Sequence, residues 1–367
     1  MFQGIFIDVI DADKRFAELM STSGRHGLSV KFQKQTEFIT QAQQILESQP
    51  DLVALDYRLN DPRKKQLSSY KAGALAQQLR DSVMDTVAKD FPIILVSHQD
   101  EMKTFFDNVT AHNLFDLSLT KEELGKGGSS RQQILSLVKG YKYLIKNWNK
   151  VERWPAFLAL TQSEKLEVAY QAIRELDKLK APHQVALDIL HYVINRPGLL
   201  LDKDNLLAKL GVAKEGKDVE VLLDLLKKNQ VVYTGIFSEG WTRWWRHRLR
   251  DWSEKLCGDA LGNLTAKQRV KCLNHKLGLK LSPAKSRWQN HTEALFAFAC
   301  DSCHQPTEAQ YSVLAYDPPV RYSFLQRKHL CWKCVETGEF KEQGLEIDDG
   351  EEFIVEKIIN GEIRSGT

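Results

Sequence analysis

An α/β fold opening with a doubly wound, five-stranded parallel sheet is what this sequence predicts, on three observations. Short apolar, β-branched runs of strand length recur through the first 148 residues. Each is followed by a stretch with apolar residues at helical spacing. The runs are apolar on successive positions, as strands buried on both faces are, and strictly alternating strands and helices build parallel sheets. The first run is Gly4–Ile10, followed by Phe16, Leu19 and Met20 at helical spacing. The pattern returns as Leu28–Gln33 with Glu37–Ser48, Asp51–Asp56 with Ala72–Ser82, Pro92–Ser97 with Glu101–Val109, and Leu114–Leu119 with Ser130–Trp148. In such folds the functional crevice lies beyond the carboxyl ends of the strands, which directs attention to Asp11, Asp56, Ser97 and Lys121.

The rest of the chain reads as three further parts. Residues 149–182 form linker helices: a polar hinge at Asn147–Pro155, then an amphipathic pattern over Glu164–Lys180 that Pro182 ends. Residues 183–292 hold three helical stretches, Val185–Asn195, Lys203–Leu210 and Val219–Asn229, then two candidate strands, Val231–Phe237 and Trp241–Trp245. Three helices and a β-hairpin in that order look like a winged helix-turn-helix. Residues 293–367 contain a zinc-ribbon pattern and an acidic tail.

A chain of 367 residues suits two or three domains, and its 43% apolar share can fill their cores. There is no apolar run near the roughly eighteen residues a membrane helix needs. The start, Met1-Phe2-Gln3-Gly4, lacks the grammar of a signal peptide, so a soluble, cytoplasmic protein without membrane contact is expected. The net charge of +3 conceals a basic segment, Trp241–His291, and an acidic stretch after Cys334. That asymmetry points to an anionic partner, or to a tail that covers the basic face. No nucleophile–His–acid constellation, phosphate-binding glycine loop or HExxH motif is present, so a conventional enzyme is not expected.

Four of the six cysteines form two CxxC pairs, Cys300/Cys303 and Cys331/Cys334, separated by strand-like sequence at Gln310–Tyr316 and Arg321–Leu330. Two such knuckles make a zinc ribbon, and four thiolates leave no open ligand position, so the Zn²⁺ would be structural. His304 and His329 are alternative ligands; redox-active pairs or free thiols are the alternative chemistry. Cys257 and Cys272 read as scattered buried thiols.

Between Trp241 and Trp252 indoles interleave with Arg243, Arg246, Arg248 and Arg250, and Lys267, Arg269 and Lys271 follow in a stretch without acids. Such groups can neutralise DNA or RNA phosphates while tryptophans stack on bases. The competing reading makes Trp244, Trp245 and Trp252 core residues and the arginines a solvated helix face.

Pro50–Asp56 resembles the third strand of response-regulator receiver domains, with Asp56 in the phosphoryl-acceptor place. In that resemblance Ser97 matches the hydroxyl that bonds the phosphoryl group, Lys121 the lysine that pairs with it, and Asp11 the first of two adjacent strand-one acids. Asp13 completes the pocket, which in the family holds Mg²⁺. Four positions depart from the pattern. Ala12 replaces the second acid, Ser118 the switching aromatic, Glu122 the proline after the lysine, and the loop Asn60–Tyr70 is long and basic at Arg63, Lys64 and Lys65. The resemblance therefore implies the receiver fold and admits either an active receiver or a pseudo-receiver in which Asp56 and Lys121 only fix the strand ends.

Together these features imply a regulatory or adaptor protein acting through protein or nucleic-acid contacts of its C-terminal half. Degenerate receivers joined to zinc and winged-helix modules also resemble components of prokaryotic signalling and antiviral defence systems. A DNA-binding transcriptional regulator and a non-catalytic scaffold subunit are the alternatives.

Overall fold

The computed structural model describes residues 1–59, 70–84, 86–99, 114–150, 152–168, 175–316 and 326–364. It divides into two compact units, Met1–His191 with Thr234–Trp241, and Tyr192–Tyr233 with Thr242–Thr367.

The first unit is built on five strands, β1 (Phe2–Asp8), β2 (Leu28–Lys34), β3 (Leu52–Leu55), β4 (Ile93–Ser97) and β5 (Leu117–Thr120). Their order is β2-β1-β3-β4-β5 and every pairing is parallel. This is the receiver-like, doubly wound order, whose switch point lies between β1 and β3. Every residue of β3 and β4 is buried, because inner strands covered on both faces have no solvent side to supply. Helices α1 (Lys14–Met20), α2 (Phe38–Ser48), α3 (Ala72–Val83), α4 (Lys121–Lys126) and α5 (Ser129–Lys146) complete it, followed by α6 (Arg153–Leu158) and α7 (Pro182–Asp188). One core cluster joins Ile7, Val53, Leu55, Ile93 and Leu95 of the sheet to Ile45 of α2 and Leu75, Leu79 and Val83 of α3. Each such side chain contributes about 1.5–3 kcal/mol when removed from water. The expected helix Glu101–Val109 and residues 60–69 of the loop after Asp56 lie outside the described residues. Of the amphipathic stretch Glu164–Lys180, residues 169–174 also lie outside; Ser163–Leu166 forms a 3-10 turn and Leu166 is exposed.

A charged network is buried near the amino ends of β4 and β5. Arg80 Nη2 donates to Asp116 Oδ2 at 2.7 Å, and its Nη1 donates to Phe91 O at 2.8 Å and to Asp90 Oδ1 at 3.4 Å. Tyr141 Oη donates to Asp116 Oδ1 at 2.6 Å, and the His183 backbone N–H donates to Asp90 Oδ2 at 2.8 Å. One network thus pins α3, α5 and α7 to the sheet, with each buried charge hydrogen-bonded as its desolvation requires. His183, assigned from sequence to the region after the linker, packs within this first unit.

Residues 234–241 also belong to the first unit, and the expected strand over Val231–Phe237 does not form there. Phe237 has a positive φ of 66° and its ring lies against Gly140 of α5, where an added Cβ would approach Phe237 Cε1 to 2.2 Å. Docking that ring takes the segment out of hairpin geometry. What remains of the hairpin is the isolated bridge between Val232 and Trp244.

In the second unit β6 (Leu200–Leu201) pairs antiparallel with β7 (Trp244–Trp245), around α8 (Lys203–Leu210) and α9 (Val219–Lys228). The α8 N-terminus is set by Asp202, whose Oδ1 accepts the Asn205 N–H at 2.7 Å, and its end by Gly211 at φ 69°. Next come α10 (Arg246–Cys257) and α11 (Ala266–Leu277), joined by a disulfide between Cys257 and Cys272, whose Cα atoms are 5.8 Å apart. These cysteines are paired, a correction to their reading as separate thiols: facing positions on two neighbouring helices bring together what sequence distance keeps apart. The C-terminal part contains β8 (Phe296–Ala299) paired with β9 (Pro306–Glu308), and β10 (Ser312–Tyr316) between β11 (Lys328–Cys331) and β12 (Glu346–Ile347). Helices α12 (Trp332–Thr337) and α13 (Glu352–Ile359) complete it. Of the expected strand Arg321–Leu330, residues 321–325 lie outside the described residues. No described helix is long and apolar enough to cross a membrane.

Candidate functional site

The crevice of the first unit is formed where strand ends meet the first residue of α4. Thr120 caps that helix: its Oγ1 accepts the Glu123 N–H at 3.1 Å, and Glu123 Oε2 accepts the Thr120 N–H at 2.8 Å. The reciprocal cap fixes Lys121 with its ammonium pointing among three carboxylates. Lys121 Nζ lies 2.7 Å from Asp56 Oδ2, 2.7 Å from Asp13 Oδ2 and 3.1 Å from Asp8 Oδ2. All four residues are buried. The second oxygens of two acids are held by the backbone, Asp8 Oδ1 by the Ile10 N–H and Asp56 Oδ1 by the Arg58 N–H.

The structure thus brings together Asp13, Asp56 and Lys121 of the sequence-predicted pocket, and leaves Asp11 out of it. Asp11 is a correction: its side chain is 69% exposed and pairs with Lys34 at 2.6 Å. The first acid is Asp8, which the sequence reading absorbed into the strand because Val9 and Ile10 extend the apolar run. An acid inside an otherwise apolar buried strand was the available signal, since a buried carboxylate needs a partner. Ser97 is buried at the end of β4, in register with Thr120. Ser118 is half-buried in β5, and Glu122 accepts a hydrogen bond from exposed His98 at 3.0 Å.

Three carboxylates around one ammonium leave an excess of negative charge, and the protonation of the pocket reflects it. Burial, then the Asp56 charge, pushes the Asp8 carboxyl up to about 6, against the pull of Lys121. Burial works against the charged form of Lys121, but Asp56, Asp13 and Asp8 outweigh it and hold the ammonium above its ordinary value.

Mg²⁺ is commonly held through one or two carboxylates, with waters completing its octahedron; here the Lys121 ammonium occupies the place between the three carboxylates. Among the described residues, the one group of three or more metal-ligating side chains whose ligand atoms lie within 4.8 Å of one another is a cysteine cluster.

That cysteine cluster is Cys300, Cys303, Cys331 and Cys334. The first pair lies in the turn between β8 and β9, closed by the Cys300 N–H donating to Gln305 O at 2.9 Å. Cys331 ends β11, and Cys334 sits in the first turn of α12. The second pair is therefore a strand-to-helix junction, not the second β-knuckle expected of a ribbon. Sγ of Cys300 lies 3.8 Å from that of Cys334, and Sγ of Cys303 lies 3.8 Å from that of Cys331. Zinc bonded to sulfur at ~2.3 Å in a tetrahedron sets its sulfurs ~3.8 Å apart, so the cluster fits that ion. Backbone N–H groups of Cys331 and Ser302 point at Cys300 Sγ, at 3.2 and 3.4 Å. Hydrogen bonding among the four sulfurs holds Cys303 below the ordinary thiol range and Cys331 and Cys334 above it. Neither candidate histidine joins the group: His304 lies 3.6 Å from Asp204, and the His329 ring stacks on Phe298 at 3.7 Å.

The basic segment divides sharply. Arg269 is 1% exposed and donates to the carbonyls of Leu264, Lys209 and Phe296 at 2.8–2.9 Å, so it braces the core and is withdrawn as a contact for an anionic partner. Burial lowers it to about 10. Arg243 is half-buried and donates to Ile194 O at 2.6 Å; Arg248 is half-buried and donates to Gln230 O at 3.0 Å. Arg246, Arg250, Lys267 and Lys271 are exposed, with Arg250 paired to Asp251 and Lys267 to Glu293, both at 2.9 Å. Trp241, Trp244 and Trp245 are buried and offer no face for base stacking.

No protein-family model matches the chain, and no curated protein does. Among solved structures it is similar to a cysteine-to-serine variant of RitR, at 14% identity and a TM-score of 0.29, over 39% of this chain and 54% of that one. A cysteine-to-aspartate variant of RitR gives the same identity and TM-score over 39% and 56%. The phosphorylated cyanobacterial phytochrome response regulator RcpA gives 16% identity and a TM-score of 0.24, over 41% of this chain and 96% of that one. The alignment thus spans little more than half the length of the RitR chains. The receiver-like fold of the first unit rests on its own sheet order.

Proposed function

We propose that this protein is a non-catalytic regulatory or adaptor protein. Its receiver-like unit serves as a fixed platform, not as a Mg²⁺-dependent phosphorylation switch, and its second unit is organised by a structural zinc ion. The observation that carries this reading is the Lys121 ammonium bonded to Asp8, Asp13 and Asp56 at once. Phosphoryl transfer to a carboxylate depends on positioned cationic charge for the incoming phosphate oxygens. Here the lysine is already committed to three acids. Ser118, where receivers carry an aromatic, supports the same reading.

Action through protein contacts is favoured over DNA. The strands and helices from β6 to β7 support a winged-helix-like module, in which α9 takes the place of the helix that would enter a groove. Its exposed residues begin with Glu220, Val221 and Asp224, and only Lys227 and Lys228 are basic. Acids at that position meet phosphates of like charge, and a helix face of this kind suits a protein partner. Of the basic residues singled out, the transcriptional-regulator alternative keeps the exposed Arg246, Arg250, Lys267 and Lys271, beside the equally exposed Lys255, Lys276, Lys280 and Lys285. Assignment to a prokaryotic signalling or defence system rests on the sequence resemblance.

An Asp56→Asn variant, supplied to the native host in place of the wild type, tests the platform reading. It is expected to support the host phenotype as the wild type does. A variant that folds normally yet loses that support contradicts it.

A further inference from the structure

Arg287 was one of the cations of the basic segment, yet its side chain serves the cysteine cluster. Arg287 Nη1 lies 3.1 Å from Cys334 Sγ and 3.0 Å from Glu339 Oε2, and Nη2 lies 2.9 Å from Glu339 Oε1. Glu339 Oε2 is itself 3.3 Å from Cys334 Sγ. A carboxylate and a sulfur are therefore in contact, with a planar fork donating to both. Four thiolates around Zn²⁺ carry a net charge of −2, so in the zinc-bound cluster that contact sets two anions together. The arginine is then what makes that corner of the tetrahedron tenable.

We propose that Arg287 is the positioning residue that holds the Cys334 sulfur in its ligand place beside the adjacent carboxylate of Glu339. This rests on the zinc reading of the cluster. Arginine suits the role because its rigid fork meets the two carboxylate oxygens and still turns one N–H to sulfur, which the single ammonium of lysine does less well. Without it, the sulfur and the carboxylate repel one another, and the hold of Cys334 on the metal weakens.

The test is a cycle of Arg287→Gln, Glu339→Gln and the double variant, in the full chain loaded with zinc. Zinc affinity is measured by competition with a chromophoric chelator, and the cobalt-substituted forms by absorption. Groups outside the ligands that orient them commonly account for ~10–100-fold in metal affinity. Arg287→Gln is expected to weaken zinc by that factor and to reduce the sulfur-to-cobalt charge-transfer band, because one thiolate withdraws. Glu339→Gln alone should stay near the wild type. The double variant should recover most of the loss, since the repelling charge is gone, whereas an arginine that merely packed would not be replaced by removing Glu339. Arg287→Lys, retaining charge without the fork, should fall between. Wild-type affinity and spectrum in Arg287→Gln, or a double variant as weak as the single one, overturns the proposal. A wild-type chain that holds neither zinc nor cobalt overturns the zinc reading, and this proposal with it.

Discussion

Protein purified without added metal is expected to carry one zinc per chain, and stripping it should undo the C-terminal part of the second unit. The expected effect is large because the region has little else to hold it. Its buried cluster is small and is centred on the ligands themselves, with Cys300, Cys331 and Cys334 packed among Trp288, Val313, Leu330 and Val335. Structural zinc sites in small domains contribute ~10–16 kcal/mol of apparent binding free energy, comparable to the whole stability of a domain at ~5–15 kcal/mol. Replacing Cys331 by Ser removes the ligand that joins β11 to α12, so residues 293–364 should lose hydrogen-exchange protection while the five-stranded sheet keeps its own. Elemental analysis showing well under one zinc in freshly prepared protein, or a Cys331→Ser chain as protected as the wild type, contradicts the site. The disulfide between Cys257 and Cys272 is outside this cluster and should survive chelation.

Lys121→Met should destabilise the first unit by about 3–5 kcal/mol, the usual range when a buried ion cluster loses one partner and leaves the others uncompensated. Here three buried acids would face one another with no ammonium among them. The opposite sign is expected at Asp8. Its carboxyl is raised from 3.8 to about 6, so the native protein holds a proton there that the unfolded chain has released. Between those values the folded state binds more protons, and this contribution to stability declines as pH rises through about 6. Asp8→Asn removes a charge the pocket has in excess. It should flatten that slope and raise stability at neutral pH by about 1 kcal/mol or more. Denaturant unfolding of both variants across the range checks the pair. A Lys121→Met protein as stable as the wild type would mean that the ion cluster does not hold the strand ends.

The parts of this molecule that were legible in the sequence are those encoded by local pattern. Buried parallel strands announce themselves as apolar runs, and CxxC spacing brings two sulfurs to one turn whatever follows. Asp56 and Lys121 were legible because each closes or follows a strand at the switch side of the sheet. What escaped depends on partners distant in the chain. Asp8 was hidden by the apolar Val9 and Ile10, although β1 ends at Asp8 and Ile10 is exposed. Arg269 looks like any surface cation until three carbonyls from separate segments surround it. The stretch after Val231 has strand-forming residues, but docking of Phe237 on the glycine gap at Gly140 outweighs a hairpin with few cross-strand pairs. Arg287 was grouped by charge with its neighbours, and only the fold shows that it faces a sulfur.

Whether the crevice is a fixed platform is tested most directly by incubating the pure protein with a small phosphodonor at high Mg²⁺ and measuring the intact mass. With Lys121 bonded to Asp8, Asp13 and Asp56, no phosphoryl group should be acquired, and the wild type and Asp56→Asn should be indistinguishable. A gain of one phosphoryl group, labile as an acyl phosphate and absent from Asp56→Asn, would show that Lys121 releases its acids and that the unit is a working switch.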